Sequence, residues 1–254
     1  MSVVEKPPLL SVRNITKKFG GVMALDSVSI ELRRGEVLAL VGDNGAGKST
    51  LTKIISGVYR PDIGEIGFDG KITEISSPAV ARNIGIETIY QDLALSDNLD
   101  VGANVFLGRE PVKRIFGIPT RIDRPFMLSA AQKLLDNLDI EISPAKMRLP
   151  VGSLSGGQRQ AVAISRAIYW NASVLIMDEP TAALGVPEQR KVVGLIKRLK
   201  RENVGIIFIS HNLSDIFAVA DRIVVLHRGK IAGDREARKT NGDELVRLMV
   251  GGAS

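Results

Sequence analysis

The octapeptide at residues 42–49 constrains the fold of this chain more than any other stretch, because it fits the G-x-x-x-x-G-K-[ST] pattern of a phosphate-binding loop. Residues 37–41 before it are an apolar run typical of a buried strand, and residues 50–56 after it suit the first turns of a helix. Strand, loop and helix in this order are what such a loop requires. The sequence therefore predicts an α/β domain that binds a polyphosphate here.

Glycines let the backbone of this loop curl so that its N–H groups point at a polyphosphate, and the helix N-terminus adds the positive end of its dipole. We expect Lys48 to reach the β- and γ-phosphates, Ser49 to bind Mg²⁺ and Thr50 to lie near the α-phosphate. A chance glycine turn is the alternative, and the flanking strand and helix argue against it. The predicted nucleotide-binding residues of the loop are Gly42, Asn44, Gly45, Ala46, Gly47, Lys48, Ser49 and Thr50.

The composition is that of an ordinary globular protein. Its 254 residues suit one α/β domain with an inserted lobe, or two domains. We expect a cytoplasmic protein, because the N-terminus lacks a signal-peptide pattern and no apolar run approaches the roughly 18 to 20 residues needed to cross a bilayer. The lack of cysteine excludes a disulfide framework, a thiolate zinc site and a cysteine nucleophile. The net charge of +6 suits nucleic acid, anionic lipid or nucleotide, and equally a solvated surface.

Near the N-terminus, residues 9–15 and 28–32 alternate between apolar and polar and predict two strands of an antiparallel layer at the edge of the fold. Residues 17–21 between them are predicted to form a turn that carries Phe19. The Phe19 ring could stack on an adenine or pack onto the core. A hairpin is predicted at residues 65–72, with Asp69-Gly70 at its tip.

The middle of the chain has a different character. Strand-like runs are not recognisable from residue 93 to 151, and a helix is predicted to begin at Asp123 and Pro125. We therefore expect a helical lobe inserted into the sheet domain. The predicted boundaries are 93–158 for this lobe and 8–92 with 159–250 for the core of a single domain.

Further buried strands are predicted at residues 84–90, 173–177 and 205–210, each followed by polar residues. Asp178 and Glu179 follow the second of these strands. Asp178 can orient Mg²⁺, and Glu179 can polarise a water in line with the γ-phosphate. An Asp-Glu pair after an apolar run can also be only a surface turn.

Gln91 and His211 follow the other two strands. Gln91 is a candidate for contacting Mg²⁺ or the attacking water, and His211 for donating a hydrogen bond to the γ-phosphate. Polar surface and a satisfied strand-end histidine are the alternatives. The remaining predicted elements are a crossover helix at 187–203, a strand at 222–226, an extension at 230–232 and a helix from about 243.

Residues 154–158, Leu-Ser-Gly-Gly-Gln, open another predicted helix that runs to about Trp170. A serine and two glycines at a helix N-terminus make an anion site. Because the chain already has such a site for its own nucleotide, the second suggests a nucleotide held by a different molecule. The predicted ligand-binding residues here are Ser155, Gly156, Gly157 and Gln158.

In order and spacing, these features resemble the nucleotide-binding cassette of ABC proteins across essentially the whole chain. The resemblance implies a P-loop NTPase (RecA-like) α/β fold with a parallel sheet, an antiparallel β layer and an inserted α-helical lobe. It also implies ATP and Mg²⁺ as cofactors, and ATP hydrolysis coupled to transport. The residues that carry it are Phe19, Gly42 to Thr50, Gln91, Leu154 to Gln158, Met177 to Glu179, and His211.

The same resemblance implies a head-to-tail homodimer. Ser155 and Gly157 of one copy would close on the ATP held by Lys48 and Ser49 of the other. Many sugar cassettes of this family carry two nucleotide domains in one chain, whereas this sequence has one. The dimer is therefore expected between chains.

Individual roles carry over from the family in the same way. Phe19 would stack on adenine, Glu179 would be the general base and His211 would sense the γ-phosphate. Gln91 would link the nucleotide to a transmembrane permease, whose coupling helix would lie against residues 93–104.

Three shorter stretches, at residues 57–61, 105–110 and 182–186, resemble cassettes that energise bacterial import of ribose, xylose or fructose. This implies a peripheral protein on the cytoplasmic face of the inner membrane that works, through its permease, with a periplasmic sugar-binding protein. Gly185 departs from the family, because most cassettes have an aspartate there. The alternatives are a cassette for another cargo and a soluble ABC ATPase that acts on nucleic acid or ribosomes.

Overall fold

The computed structural model describes residues 7–90, 92–116, 118–138, 140–182 and 184–251. These residues group into two compact units. The first runs to Thr88 and includes Ala172–Glu179 and the chain from Ile196 onward, and the second comprises Ile89–Asn171 and Pro180–Leu195. The second unit is larger than the helical lobe predicted at residues 93–158, because it also contains the helix that follows residue 155.

The described residues form twelve β-strands in three sheets. The strands are β1 Leu10–Phe19, β2 Val22–Leu32, β3 Val37–Val41, β4 Ile63–Phe68, β5 Lys71–Ile72, β6 Ile86–Ile89, β7 Val112–Ile115, β8 Ile118–Ile122, β9 Val174–Asp178, β10 Gly205–Ile209, β11 Arg222–His227 and β12 Lys230–Glu236.

The largest sheet has six strands in the order β12-β11-β3-β10-β9-β6. Strand β3 pairs in parallel with β10 and with β11, β10 pairs in parallel with β9, and only β12 is antiparallel to its neighbour among the pairs described. Every residue of β3 and of β10 is buried. This burial on both faces explains why these strands are continuous apolar runs in the sequence.

The second sheet is antiparallel, in the order β2-β1-β4-β5. Its β4–β5 turn is Asp69-Gly70, as predicted, and both residues have positive φ, which a tight hairpin turn needs. The turn predicted at residues 17–21 is shorter in the structure, where only Gly20 and Gly21 form it, because β1 continues to Phe19 and pairs it with Val22. The end of this strand was not predicted, because the polar pair Lys17-Lys18 interrupts the alternation of apolar and polar residues along β1.

The described residues also form nine α-helices, and the longest has 16 residues. Among them, none combines the length and the apolar character needed to cross a membrane. The helices are α1 Lys48–Ile55, α2 Pro78–Asn83, α3 Val101–Val105, α4 Arg124–Asn137, α5 Pro144–Met147, α6 Gly156–Tyr169, α7 Val186–Arg201, α8 Leu213–Val219 and α9 Gly242–Met249.

The second unit has its own core, made by α3, α4 and α6. Phe106 is buried there, and its ring packs edge-on against Tyr169 and Trp170, with centroids 4.5 and 6.1 Å away. Helix α4 begins as predicted, because the Asp123 side chain accepts a hydrogen bond from the Phe126 N–H at 3.2 Å. A separate core of this kind is what an inserted lobe needs in order to stay folded.

The expectation that residues 93–151 lack strands is wrong. Strands β7 and β8 pair there as an antiparallel hairpin, with Val112 opposite Ile122 and Lys113 opposite Arg121. Each strand is only four or five residues long, and Pro119 within β8 argues against a strand in the sequence. A two-stranded hairpin tolerates this proline because its strands are edges.

Candidate active site

The central strands of the six-stranded sheet place the residues predicted to bind and hydrolyse the nucleotide at one edge of the sheet. Strands β3, β10 and β9 run parallel, so their carboxyl ends lie at the same edge. The phosphate-binding loop follows β3, Asp178 and Glu179 stand at the end of β9, and His211 follows β10. All of these residues belong to the first unit.

Two glycines of the loop are required by its shape. Gly47, the residue before α1, has a φ of 108°, and a Cβ there would lie 2.8 Å from the carbonyl oxygen of Ala24. Gly42 has a φ of 149°, and a Cβ there would overlap the carbonyl oxygen of Leu226. Gly47, at the N-cap position of α1, has no side chain that could cap the helix. The first N–H groups of this helix therefore remain available to a ligand.

Lys48 lies buried beneath the loop. Its Nζ donates hydrogen bonds to the carbonyl oxygens of Gly42, at 2.5 Å, and Asp43, at 3.0 Å. Burial lowers the pKa of Lys48, while Glu179, Asp43 and Asp178 act in the opposite direction. The chain thus holds a desolvated cation at the place where the sequence predicts the β- and γ-phosphates.

The other loop residues are arranged as an open surface over this cation. Asn44, Gly45 and Ser49 are exposed, Thr50 is half-buried, and Ala46 is buried as the anchor of the loop. The Ala46 N–H donates to the Asp43 carbonyl at 3.1 Å, and its own carbonyl accepts from Gly229 N–H at 3.0 Å. The loop is therefore fixed by backbone hydrogen bonds before any ligand binds.

Asp178 closes β9 with a half-buried side chain, and burial raises its pKa, against the attraction of Lys48 and His211. A carboxylate that has lost part of its hydration gains most from a nearby cation. Together with the exposed Ser49 hydroxyl it offers the hard oxygen ligands that Mg²⁺ prefers. Among the described residues, no group of three acidic or histidine side chains is placed so that it could hold a metal ion by itself.

Glu179 has an unusual backbone for its type, with a φ of 51°. Its N–H donates to the Ile209 carbonyl at 2.9 Å, which ties the end of β9 to β10. Its Oε1 is buried and receives no hydrogen bond from any described residue, although His211 Nε2 lies 3.1 Å away. Glutamate rarely adopts positive φ, and such strain is concentrated at functional sites.

Burial also raises the pKa of Glu179, against the attraction of His211. The backbone N–H of His211 donates to Oε2 at 3.4 Å, and its ring Nε2 lies 3.1 Å from Oε1. The histidine therefore contacts both carboxylate oxygens. The His211 ring itself is largely exposed. A carboxyl group with a raised pKa and a free oxygen is suited to accept a proton from water.

Phe19 lies at the end of β1 with 42% of its surface exposed, so it is not a core side chain. Its ring packs edge-on against Tyr59, with centroids 5.2 Å apart, and Lys17 Nζ lies 5.6 Å from its centroid. One face of an aromatic platform is thus left for a ligand. The sequence reasoning missed Tyr59, because it follows the end of α1 in a turn with no pattern to mark it.

In the second unit, Ser155 caps α6. Its Oγ accepts a hydrogen bond from Gln158 N–H at 3.3 Å, and Gln158 Oε1 accepts one from Ser155 N–H at 3.2 Å. This is a capping box, so two of the N–H groups at the helix start are paired. The N–H groups of Gly156 and Gly157 have no intrahelical partner. Gln158 therefore supports the helix cap, in addition to its predicted place in a ligand site.

Gln91 and Gly185 are the two remaining positions that the sequence singled out. Gln91 lies outside the described residues. Gly185 precedes α7, where a Cβ would lie 2.8 Å from Glu188 Oε2, and the same Glu188 approaches Gly157. An aspartate at position 185 would bring a second carboxyl group against Glu188, which like charges oppose.

Comparison with known sequences gives the family. A sequence profile described as "ABC transporter" matches residues 25–182. The chain is 50% identical, over 241 residues, to the xylose/arabinose import ATP-binding protein XylG of Sulfolobus acidocaldarius, which covers 95% of this chain and 93% of that protein. It is also 50% identical, over 244 residues, to ribose import ATP-binding protein RbsA 1 of Rubrobacter xylanophilus, covering 96% of this chain and 47% of that protein. The chain spans about half the length of this second relative.

Comparison with solved structures supports the same family assignment. The dimeric structure of a post-hydrolysis state of the ATP-binding cassette MJ0796, bound to ADP and Pi, superposes with a TM-score of 0.74 at 26% identity, covering 91% of this chain and 100% of that one. The predicted P-loop α/β fold, with its parallel sheet, antiparallel layer and helical part, is confirmed. The chain therefore belongs to the ABC transporter family, as one of its ATP-binding cassettes, an ATPase coupled to transport.

Proposed function

We propose that this chain hydrolyses ATP to energise the uptake of a monosaccharide, working as a peripheral subunit on the cytoplasmic face of the membrane. The observation that carries the chemical part is the arrangement of Glu179, with a buried Oε1 that accepts no hydrogen bond from the described residues, a raised pKa and His211 Nε2 3.1 Å from Oε1. The names of the relatives, which are import ATP-binding proteins for xylose/arabinose and for ribose, support the sugar.

ATP binding would use the loop and α1. The open N–H groups of α1 and the loop meet the phosphates, and the Lys48 ammonium exchanges its two carbonyl partners for phosphate oxygens. Phe19, exposed beside Tyr59, would stack on the adenine. Lys48 is already desolvated, so its attraction for the phosphates is stronger than that of a surface lysine.

Hydrolysis would use the strand ends. Glu179 would accept a proton from the attacking water at its free Oε1, and its raised pKa brings it closer to neutral pH, where general bases are most effective. His211 would hold the carboxylate in place and donate to the γ-phosphate. Mg²⁺, when bound, would neutralise charge on the phosphates, held by Ser49 and Asp178 and, in this proposal, by Gln91.

The complete site would form between two copies of the chain, arranged head to tail. Ser155, Gly156, Gly157 and Gln158 would face the ATP held by the other copy. Ser155 supports this role, because its Oγ accepts from Gln158 N–H yet keeps its own O–H proton for a phosphate oxygen. Helix α6 adds the N–H groups of Gly156 and Gly157 and its dipole.

Coupling to transport would use the helical unit. Gln91 and residues 93–104 would contact the membrane-spanning permease, which receives sugar from a substrate-binding protein outside the cell. The cassette would hold no sugar itself.

The catalytic test is the substitution Glu179→Gln, which keeps the shape of the side chain and removes its basicity. We expect ATP hydrolysis to fall about 10²- to 10⁴-fold, as for the loss of a general base, with ATP binding retained. Phosphate release and equilibrium binding of a fluorescent ATP analogue measure the two quantities. The matched control is Glu74→Gln, since Glu74 is an exposed side chain that pairs only loosely with Arg60. Hydrolysis at the parent rate by Glu179→Gln would refute the assignment.

The transport test uses vesicles that contain the chain with its permease. ATP-dependent accumulation of labelled xylose, arabinose or ribose is expected, and it should be lost with Glu179→Gln. Accumulation of a different solute would correct the cargo alone. Stimulation of hydrolysis by DNA or RNA, without any association with membrane protein, would instead favour a nucleic-acid ATPase.

A further inference from the structure

The β7–β8 hairpin of the second unit, residues 112–122, has no part in the nucleotide chemistry. It is nevertheless a defined structure, held at its base by the Asp123 N–H, which donates to the Pro111 carbonyl at 2.8 Å. Thr120 Oγ1 also donates across the strands to the Lys113 carbonyl at 2.9 Å. The hairpin therefore presents its side chains in fixed directions.

Four of its apolar side chains are exposed to solvent. Phe116 at the tip is fully exposed, Ile118 is 66% exposed, and Val112 and Ile122, opposite one another, are each exposed by more than 40%. Phe116 also has a φ of 52°, a backbone region that a bulky residue avoids. An aromatic ring kept in water on a strained backbone has no structural benefit, which points to a role in binding.

Its charged side chains are mostly basic. Residues 112–124 contain four basic residues and one acidic residue. Lys113 stands directly opposite Arg121, an arrangement of like charges that destabilises a strand pair. Asp123 lies 3.7 Å from Lys113 and offsets part of this repulsion, while Arg114, Arg121 and Arg124 are exposed.

We propose that this hairpin binds the surface of an anionic phospholipid bilayer. Phe116 and Ile118 enter the boundary between headgroups and acyl chains, and Arg114 and Arg121 bind the phosphate groups of the headgroups. The combination of one apolar tip with cations behind it matches the layered chemistry of a membrane surface. This attachment is independent of the cargo and adds to any contact with a permease.

The charge pattern favours lipid over the other partners that a basic surface suits. Single-stranded nucleic acid binds through several stacking rings, whereas the other exposed apolar residues of the hairpin, Val112, Ile118 and Ile122, are aliphatic. A protein groove for the tip would need no cations at its rim. A bilayer uses the aliphatic residues, the ring and the arginines together.

The main experiment uses the full chain and pure lipid vesicles without a permease, and two comparison arms use permease-containing vesicles and single-stranded RNA. The chain has no cysteine, so Phe116→Cys and Ile72→Cys each provide a single site for an environment-sensitive dye. Ile72 is a matched control because it is an exposed strand residue of the first unit. With vesicles containing about one-third phosphatidylglycerol, the dye at position 116 should shift to the blue, and the dye at position 72 should not.

Affinity is measured by sedimentation with the same vesicles and with phosphatidylcholine alone. Phe116→Asn removes the apolar tip but is compatible with the fold, because asparagine adopts positive φ readily. It should weaken binding at least about tenfold. Arg114→Gln with Arg121→Gln should weaken it more than about tenfold, and Arg190→Gln with Lys191→Gln, an exposed pair on α7, should not.

The expected result is selective binding to anionic vesicles that about 0.5 M salt reduces strongly. Equal binding to both lipids, or unchanged binding by both hairpin variants, would overturn the proposal. Binding that appears only with permease-containing vesicles and is lost with Phe116→Asn would assign the hairpin to a protein partner instead. RNA binding lost with the arginine variant, without lipid binding, would likewise overturn it.

Discussion

Helices α1 and α6 each have a glycine at the helix start, Gly47 just before α1 and Gly156 as the first residue of α6, and both are predicted to face ATP, but their N-termini are capped differently. Helix α1 follows Gly47, at positive φ, and has no side-chain cap. Helix α6 has a complete capping box between Ser155 and Gln158. The first N-terminus is open and depends on glycines at backbone angles that other residues avoid, whereas the second is stabilised by its own side chains.

This difference matches the two tasks. The phosphate-binding loop needs free N–H groups and a buried cation to hold a nucleotide, so helix α1 lacks the side-chain cap that would otherwise stabilise its start. A surface that closes on a nucleotide from another molecule must stay folded while that nucleotide is away, and the capping box stabilises it then. Substitutions at both helix starts test how far the two differ.

The largest effect is expected at α1 with Lys48→Met, which keeps the buried stem and removes the ammonium. Without this cation beneath the phosphates, ATP hydrolysis should fall about 10²- to 10³-fold. Steady-state phosphate release measures it, and Lys71→Met, at an exposed position of β5, serves as the control. An unchanged rate would show that the α1 site is not where ATP is hydrolysed.

At α6, Ser155→Asp separates capping from catalysis. Aspartate caps a helix about as well as serine, so the melting temperature should hardly change, but its charge would repel a phosphate. Hydrolysis should fall at least about tenfold, with ATP binding by the isolated chain unchanged.

The control for this substitution is Ser143→Asp at the start of α5, where the serine caps in the same way. It should leave hydrolysis at the parent rate. If Ser155→Asp hydrolyses ATP normally, the α6 cap is only structural, and the comparison between the two helices fails.

A third pair of variants measures the strain directly. Gly47→Ala places a Cβ against the Ala24 backbone at positive φ and should cost about 1 to 3 kcal/mol of unfolding free energy. Gly156→Ala meets only the end of the flexible Leu184 side chain, at 2.8 Å, in a helical conformation. It should remain within about 1 kcal/mol of the parent. Urea unfolding measures both, and equal losses would contradict the difference in strain.

The smallest expected effect concerns how the stability of the folded chain depends on pH. Burial raises the pKa of Glu179 in the folded chain above the ordinary value of 4.5, which applies in the unfolded chain. At pH values between these two pKa values, the folded chain therefore binds more protons than the unfolded chain. Stability therefore falls as the pH rises through this interval. Glu179→Gln should raise the melting temperature at pH 8 by about 1 to 3 °C, with the gain vanishing toward pH 4.

The α6 cap has no charged member, so Ser155→Ala should lower the melting temperature by the same amount at both pH values. Calorimetric scans at several pH values provide the comparison. A gain for Glu179→Gln that grows at low pH would mean that the folded pKa is depressed, not raised.

The sequence was sufficient where local pattern and chemistry coincide. The phosphate-binding loop, the strand-end acids and the Asp69-Gly70 turn were all predicted, because each depends on neighbours in the chain. It was not sufficient for the backbone of Glu179, which has a positive φ and donates its N–H to Ile209 on another strand. Nor could it reveal Tyr59 beside Phe19, a contact across the fold.

The β7–β8 hairpin escaped prediction for a related reason. Its strands are short, one contains Pro119, and Phe116 carries the positive φ that asparagine or glycine usually marks. Function, in our proposal, has overridden the local rules at both Phe116 and Glu179. Places where local propensity fails are therefore informative about binding and catalysis.

The single tryptophan of the chain gives this molecule a built-in optical probe. Trp170 packs against Phe106 and Tyr169 in the core of the helical unit, with the Arg109 guanidinium 4.6 Å from its ring. Intrinsic fluorescence excited at the indole band therefore reports on that unit alone. Compared with circular dichroism, it should reveal whether the two units melt together or one after the other.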